Sequence, residues 1–535
     1  MNNKLKEWGK TKATYLDWLV KNRLRKIFSE SIKIENFSLW WITKLVDKDI
    51  ILHNDWYHHL NSTLNKKKLL IQKRKINFFL LIAKVIKKFI LIIIASTSAK
   101  FLYKNKSEKN SHKINCFHTT DLHIVPFKKI YLDHQYGKAS LKNKEKNCYL
   151  IQFGTDLKSI LSFLKRRKKL SKIPVNHFIL MKYVSLFDIL NVYLKTFFLF
   201  LKLIFILRKK NYFIINKIDC SFILRPLLIE SFFGDIQESL INAKAIKNFF
   251  KEEDYKNFIN YGEFFPGWRA IYHFAKLGDA PPKIITMNHG IYSENNLFWS
   301  LKKNEFNELD NDPFYSPKPD IFLTQGIKYF KVLKKIFPYK KVYPIGSFKY
   351  ELANYKFNKP IIKKKLNKIK KNFKKKKILA ICTALNDEKN IINFLNKCNL
   401  SNYLIILCPH PYFIRKSTLE FKDEFKYDFK VLQNYTTREV ASAADFVITG
   451  YSSIGLEILL KKINVLKVVD GTSPPFDDFN DGIPVVSDYK KLNRFLNKKT
   501  NFTKYSSKKI KENYFYKFDN KTHLRFWKVI NKINT

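Results

Sequence analysis

From Ile114 onward the chain alternates short apolar runs with longer polar or amphipathic stretches. The runs Cys148 to Phe153, Tyr212 to Ile215, Lys283 to Met287, Asp320 to Thr324 and Lys341 to Ile345 are short and rich in β-branched and aromatic residues, so each reads as a buried strand. Strands alternating with helical segments predict βαβ units and a parallel sheet. Lys359 to Lys377 is Lys-dense and free of glycine, which predicts a solvated helix or linker and marks a domain boundary. Beyond it a second series of runs begins: Lys377 to Thr383, Tyr403 to Leu407, Phe429 to Leu432, Phe446 to Ile448 and Val465 to Val469. Thr436 and Glu439 have capping-box spacing and predict a helix over Glu439 to Ala444 that feeds the Phe446 strand. Residues 1 to about 110 read as mainly helical, with Phe37-Ser38-Leu39-Trp40-Trp41 opening one amphipathic segment, Lys66 to Lys75 a basic connector, and Ser506 to Ile533 an aromatic C-terminal helix. The pattern predicts three parts: a helical extension over 1–112, an α/β domain over 113–358 and a second over 359–535 that ends in a helix. A length of 535 residues fits two or three domains.

Two apolar stretches raise the question of a membrane. Phe78 to Leu102 is interrupted by Lys84, Lys87 and Lys88, leaving about a dozen uninterrupted residues where a span needs about twenty. Val184 to Leu207 carries Asp188, Lys195 and Lys202 seven residues apart, which strings the charges along one stripe of a helix otherwise rich in Phe, Leu and Ile. Each stretch reads as a core-facing helix or as one lying in the lipid headgroup layer, with a transmembrane helix the third alternative for both.

A formal net charge of +55 raises nucleic acid as a partner. The excess is almost all Lys, spread over every segment, and no zinc finger, RNA-recognition signature or basic zipper accompanies it. Diffuse Lys charge beside apolar helices instead predicts an anionic membrane surface as electrostatic partner, and no nucleic acid. Six scattered cysteines without C-x-x-C spacing predict reduced thiols. The polar N-terminus, Met1 to Glu7, lacks the features of a secretory signal, so a cytoplasmic location is expected.

The candidate chemistry lies at strand ends, where open α/β sheets bind ligands. Cys408-Pro409-His410-Pro411 follows one apolar run, and the two prolines fix the backbone that carries His410. A rigid corner with a solvent-facing histidine is the alternative. Thr449-Gly450-Tyr451-Ser452-Ser453-Ile454-Gly455-Leu456-Glu457 follows another run and starts a helix, so it would offer hydroxyls and unpaired backbone N–H groups to an anion. Glu457 falls on the same helical face as Ser453 and could accept hydrogen bonds from ribose hydroxyls. Met287-Asn288-His289-Gly290 ends a third run, and its imidazole suits a general base near neutral pH, although a strand-end histidine taken alone is more often structural. Asp310-Asn311-Asp312 and Asp477-Asp478 read as solvated turns rather than metal ligands. No Walker loop, G-x-G-x-x-G, H-E-x-x-H or G-x-S-x-G is present.

Together these residues resemble the GT-B glycosyltransferases of bacterial surface polysaccharide synthesis, from about Ile114 to the end. His410-Pro411 and Ser452-Ser453 are similar to the HP and paired-serine motifs with which bacterial sialyltransferases grip a CMP phosphate. His289-Gly290 resembles the His-Gly base of CDP-glycerol glycerophosphotransferases. Asp320 to Gly326, followed by Pro344-Ile345-Gly346-Ser347, resembles the crossover between the domains of such enzymes, and Tyr261-Gly262-Glu263 with Trp268-Arg269-Ala270 a further family element that brings Glu263 near the cleft. Ser38-Leu39-Trp40-Trp41 is similar to a segment of a group known as surface carbohydrate biosynthesis proteins. The acidic pair before Gly that serves as base in sialyltransferases has no match.

The resemblance implies two Rossmann-like domains facing across a cleft. It implies an inverting, metal-independent transfer, with no cofactor, from a CMP-, CDP- or UDP-linked donor to a glycan or lipid-linked acceptor at the inner face of the cell membrane. His289 and Glu263 would be catalytic; His410, Pro411, Thr449, Gly450, Ser452, Ser453 and Glu457 would bind the donor. A sugar-nucleotide 2-epimerase and a non-enzymatic glycan-assembly scaffold are the alternatives. Donor sugar, acceptor, linkage and oligomeric state are not legible.

Overall fold

The structure, a computed structural model, describes the chain except for residues 1, 48–55, 66–76, 103–112, 128–129, 171, 209–211, 291–300, 307–311, 338–340, 356–358, 376, 385–386, 411–413, 433–434, 451, 461–462, 469–482, 484, 498–506 and 535. Helices α1 (Asn2–Lys21), α2 (Arg23–Ser31) and α3 (Phe78–Leu102) come first. Tyr15, Phe28, Trp40 and Trp41 from this region share one buried cluster with the sheet that follows, so the helical extension is built into the first domain's core. Arg25 and Arg269 both lie against the Trp41 ring, at 5.0 and 5.2 Å, and the buried Arg269 pairs with the buried Glu305.

The first sheet is made of β1 (Asn115–Thr120), β2 (Asn147–Gln152), β3 (Asn176–Ile179), β4 (Asn257–Asn260), β5 (Lys283–Met287), β6 (Ile321–Thr324) and β7 (Val342–Pro344). All its pairings are parallel, in the order β7-β6-β5-β4-β1-β2-β3. Helices α4 (Leu186–Arg208), α5 (Asp235–Glu252) and α6 (Pro266–Ala275) belong to this half, and α7 (Phe348–Tyr355) leads out of it. The second sheet, β8 (Lys377–Cys382), β9 (Tyr403–Cys408), β10 (Phe429–Val431), β11 (Phe446–Thr449), β12 (Asn464–Val468) and β13 (Val485–Val486), is also parallel, in the order β10-β9-β8-β11-β12-β13. Its helices include α8 (Thr437–Ala443), α9 (Ile454–Leu459) and the terminal α10 (Thr522–Asn534). The second sheet therefore has the doubly wound order 3-2-1-4-5-6 and the first the same order with a seventh strand added, the reversal lying between β1 and β4 in the first and between β8 and β11 in the second. Ligands bind at such reversals, outside the carboxyl ends of the strands.

Several sequence expectations are corrected. Tyr212 to Ile215 contributes only the two-residue strand Ile214–Ile215, paired antiparallel with Ile218–Asp219 in a hairpin outside the main sheet. The sheet instead gains β1, β3 and β4, whose polar residues hide them from a search for apolar runs. Asn257, Asn115 and Asn147 stand in register across three strands, with Asn257 Nδ2 donating to Asn115 Oδ1 at 2.9 Å and Asn115 Nδ2 to Asn147 Oδ1 at 2.8 Å. A buried amide is tolerated when such partners exist. The terminal helix, assigned by sequence to the second domain, packs on the first: Phe526, Trp527 and Ile530 join its core, and Trp527 Nε1 donates to the Ala139 carbonyl at 3.1 Å. The chain thus crosses between domains twice. Helix α7 sits on the outward crossing, with Phe348 in the first core and Tyr350 in the second.

Candidate active site

The first half of the site starts from a buried asparagine. Asn260 Oδ1, at the end of β4, accepts hydrogen bonds from Gly262 N (3.0 Å), Thr286 Oγ1 (2.9 Å) and Tyr272 Oη (3.1 Å). These bonds hold the turn Tyr261-Gly262-Glu263 against β5. Gly262 is required there, because a Cβ would sit 1.7 Å from the Trp268 ring. Glu263 then adopts φ +48, a left-handed conformation that costs a side-chain-bearing residue roughly 1–3 kcal/mol and persists only where neighbours enforce it.

The reward is the position of its carboxylate. Glu263 Oε1 accepts from Asn288 Nδ2 at 2.8 Å and from the His289 backbone N–H at 3.0 Å, and Oε2 lies 3.1 Å from His289 Nδ1. Asn288 is itself held by Gln325, whose N–H reaches Asn288 Oδ1 at 3.1 Å and whose Nε2 reaches the Asn288 carbonyl at 2.6 Å. Burial pushes the Glu263 carboxyl up from its ordinary value, and the hydrogen bonds and charge of His289, with Asn288, pull it back. A carboxylate on Nδ1 fixes the tautomer with its proton there and the lone pair on Nε2, the arrangement in which imidazole takes a proton. The Glu263 side chain is 2% exposed and that of His289 39%, so the acid is interior and the imidazole faces the crevice.

His123, beyond β1, completes this edge. Its Nδ1 lies 2.5 Å from Tyr261 Oη, and its carbonyl accepts from His134 Nδ1 at 2.9 Å. Burial, together with His134, Lys349 and His289, holds the His123 pKa down at about 2. His123 is therefore a neutral imidazole at physiological pH.

The second half lies at the carboxyl edge of the other sheet. His410 is half-buried two residues after β9, and its pKa is lowered by burial, raised by Glu388 and lowered by Lys349. Gly450 follows β11 and lies so close to Asp387 that a Cβ would meet Oδ2 at 2.4 Å. Thr449 Oγ1 donates to the Ser452 carbonyl at 3.2 Å, and Ser453 lies near the Tyr350 phenol. Pro411 and Tyr451 lie outside the described residues, as do Asp310, Asn311, Asp477 and Asp478. Asp312 accepts from the Phe314 N–H at 2.9 Å, as expected of a turn.

Three details depart from the sequence reading. β9 and β11 are not neighbours: β8 runs between them, with Cys382 paired to Cys408 on one side and to Thr449 on the other. His410 and the serines therefore flank the end of β8 across two strand spacings, roughly 10 Å. Helix α9 has six residues and Ser453 makes no side-chain cap to it, so it supplies N–H groups more than a macrodipole. Glu457 is buried and its Oε2 accepts from Arg438 Nε at 2.5 Å, which commits one carboxylate oxygen to a partner inside the protein.

The positive charge comes from residues that the sequence did not single out. Lys349, the second residue of α7, lies 5.5 Å from the Tyr350 ring centroid, and Arg438 lies 5.6 Å from the same ring. Burial lowers the Lys349 pKa, with Glu457 opposing and Arg438 adding to the effect. The Lys349 charge acts on His123 in the first domain and on His410 in the second, so this residue of α7 lies within electrostatic reach of both strand edges. Lys349 stands two residues past the Pro344-Ile345-Gly346-Ser347 stretch that resembled a domain crossover, and that position was the signal available in the sequence. Among the described residues no group of three or more His, Cys, Asp or Glu side chains forms a metal-binding cluster.

Two doubly wound domains, joined by α7 and by the returning α10, form the GT-B arrangement. No family model and no curated protein matches the sequence. Solved structures align over most of the chain at low identity. The wall teichoic acid polymerase TagF matches at 12% identity and TM-score 0.41, covering 85% of this chain and 98% of its own. The UDP-GlcNAc 2-epimerase from Neisseria meningitidis, bound to UDP-GlcNAc, matches at 12% identity and TM-score 0.43, covering 78% and 100%. A putative UDP-N-acetylglucosamine 2-epimerase from Listeria monocytogenes matches at 10% identity and TM-score 0.44, covering 79% and 97%. The fold assignment rests on the strand orders of this chain.

Proposed function

We propose that the protein transfers a sugar or related unit from a nucleotide-activated donor, cytidine- or uridine-linked, to a hydroxyl of a cell-surface glycan or its lipid-linked precursor at the cytoplasmic face of the membrane. The observation that supports this reading is the Glu263–His289 pair at one sheet's carboxyl edge, with Lys349 of α7 acting through its charge on His123 beside that edge and on His410 at the other. His289 Nε2 removes the acceptor hydroxyl proton as the oxygen attacks the anomeric or equivalent carbon, and Glu263 stabilises the imidazolium that results. The bond to the donor phosphate breaks, and the charge developing on the departing nucleotide is met by Lys349, His410, Ser452 and Ser453. Attack from the side opposite the leaving phosphate inverts the carbon, and the reading calls for no divalent cation. Glu457, with one oxygen held by Arg438, offers the other to a ribose hydroxyl.

A thermal-shift screen with CMP, CDP, UDP and GDP tests the reading, since a ligand that binds only the native state raises its melting temperature. A shift with a pyrimidine nucleotide is expected. No shift with any of the four contradicts the reading and leaves a non-catalytic scaffold. Product analysis with the nucleotide sugar alone separates transfer from 2-epimerisation, because an epimerase needs no acceptor.

A further inference from the structure

Helices α3 and α4 lie side by side on the first domain, with the Phe89 and Tyr193 rings 5.0 Å apart in an edge-on contact and Ser96 Oγ donating to the Val184 carbonyl at 2.9 Å. Their amphipathicity is reversed. In α3 two of the lysines point inward: Lys84 and Lys88 reach Asp235 at 3.2 and 3.4 Å, and Lys88 also pairs with Glu238. The outward face carries Ile82, Ile86, Ile90 and Ile94, all exposed and four residues apart, which on a 3.6-residue helix is one slowly winding stripe. In α4 the inner face packs through Ile189, Val192, Thr196, Leu203 and Leu207, and Gln237 Nε2 of α5 donates to Thr196 Oγ1 at 3.1 Å. Its outer face is Leu190, Leu194, Phe197, Phe198, Leu201 and Phe205, all exposed. Phe79 at 79%, Phe187 at 74% and Phe198 at 64% are more exposed than a solvated surface tolerates in a contiguous group of this size.

Each of these helices thus buries one face in protein and presents an apolar face directly opposite. Helix α4 is long and apolar enough to span a bilayer, but its inner face is bonded along the domain, so it lies along a surface rather than through one. The charge around the ridge chooses between the surfaces that could cover it. α3 contains no acidic residue, and the single acid of α4, Asp188, is turned to Ser185 and Asn248. Lys87, Lys100, Lys195, Lys202 and Arg208 are exposed on the same two helices. Two copies of this chain would bring two such basic rims together and repel, whereas anionic headgroups attract them.

We infer that the α3–α4 ridge is a monotopic membrane-docking surface: its Ile, Leu and Phe side chains enter the headgroup and acyl boundary of an anionic bilayer while the flanking lysines bind lipid phosphates. The inference does not depend on the transferase reading, and its test uses no nucleotide. The full-length protein is sedimented with phosphatidylcholine vesicles, with and without phosphatidylglycerol, beside the variants Ile90→Glu/Phe198→Glu and Lys195→Glu/Lys202→Glu. All four positions are exposed, so circular dichroism and melting temperature are expected to stay at wild-type values. Wild type is expected to pellet with the anionic vesicles and only weakly with phosphatidylcholine alone, and each double variant to lower the bound fraction about tenfold. Equal binding to both vesicle types, wild-type binding by the Ile90→Glu/Phe198→Glu variant, or a lipid-free dimer that this variant dissociates overturns the inference.

Discussion

The Glu263 carboxylate holds His289 at two points, its backbone N–H at 3.0 Å and its ring Nδ1 at 3.1 Å, from a backbone that is left-handed at φ +48. The strained turn after β4 fixes the tautomer of an imidazole on the loop after β5. Glu263→Gln keeps the shape and removes the charge that stabilises the imidazolium. Turnover is expected to fall about 10²-fold or more, with KM changed far less, because the interaction strengthens only as the proton moves. Steady-state kinetics on the purified variant checks this, and a change confined to KM would contradict it.

Gly450 has no room for a side chain. Gly450→Ala drives a Cβ to within 2.4 Å of Asp387 Oδ2, so either β11 or the Asp387 carboxylate, which accepts from the Ala384 N–H at 2.8 Å, must shift. A destabilisation of about 1–3 kcal/mol is expected, together with loss of nucleotide binding, since the loop carrying Ser452 and Ser453 moves with it. Urea denaturation and ligand titration on the same preparation measure both.

Asp133 gives the fold a pH dependence of its own. Burial pushes its carboxyl up to about 7, against hydrogen bonds from Thr119, Gln135 and Tyr136. In the unfolded chain the same group titrates near pH ~3.9, so between the two values the native chain holds a proton that the unfolded chain has released. Its contribution to stability is complete below about pH 4 and is lost as pH rises towards 7. Asp133→Asn removes that loss, so the stability of the variant relative to wild type is expected to rise across this window. Urea midpoints at the two ends report it, and a constant difference would show that Asp133 does not titrate there.

Trp527 ties the end of the chain to the first domain, 4% exposed in its core and bonded to the Ala139 carbonyl. Trp527→Ala leaves a cavity and an unpaired carbonyl, at a cost of about 3–5 kcal/mol. The loss is expected in the unfolding of the first domain although the residue follows the second in sequence. Hydrogen exchange in β1 and β2 locates it.

The second domain was legible because its four central strands are near-continuous apolar runs, and the Thr436–Glu439 capping box forms as its spacing required, with Thr436 N donating to Glu439 Oε2 at 2.8 Å. The first sheet was only half legible. β1 and β4 begin with asparagines whose partners are other asparagines on neighbouring strands, a ladder that only the register reveals. Tyr212 to Ile215 failed for the converse reason: four apolar residues beside the two positive-φ residues Asn216 and Lys217 make a tight hairpin. At the site, strand-end placement pointed to His289, His410 and the serines, but nothing in one dimension pairs Lys349 with His123 and His410, because the crossing of α7 between domains creates that proximity. The lysines of α3 misled in an instructive way. In sequence they break an apolar run; in the fold Lys84 and Lys88 turn inward to Asp235 and Glu238, and the Ile82, Ile86, Ile90 and Ile94 stripe stays outside.

Central to the account is one crevice in which a base on the first domain faces a nucleotide held by the second. Calorimetric titration of CMP, CDP and UDP into wild type, His289→Ala and Lys349→Met tests this most directly. At least one of the three is expected to bind wild type and His289→Ala with the same affinity and Lys349→Met at least about tenfold more weakly, the value of one charge-assisted contact to phosphate. Binding of none of the three, or binding that Lys349→Met leaves untouched, would contradict it.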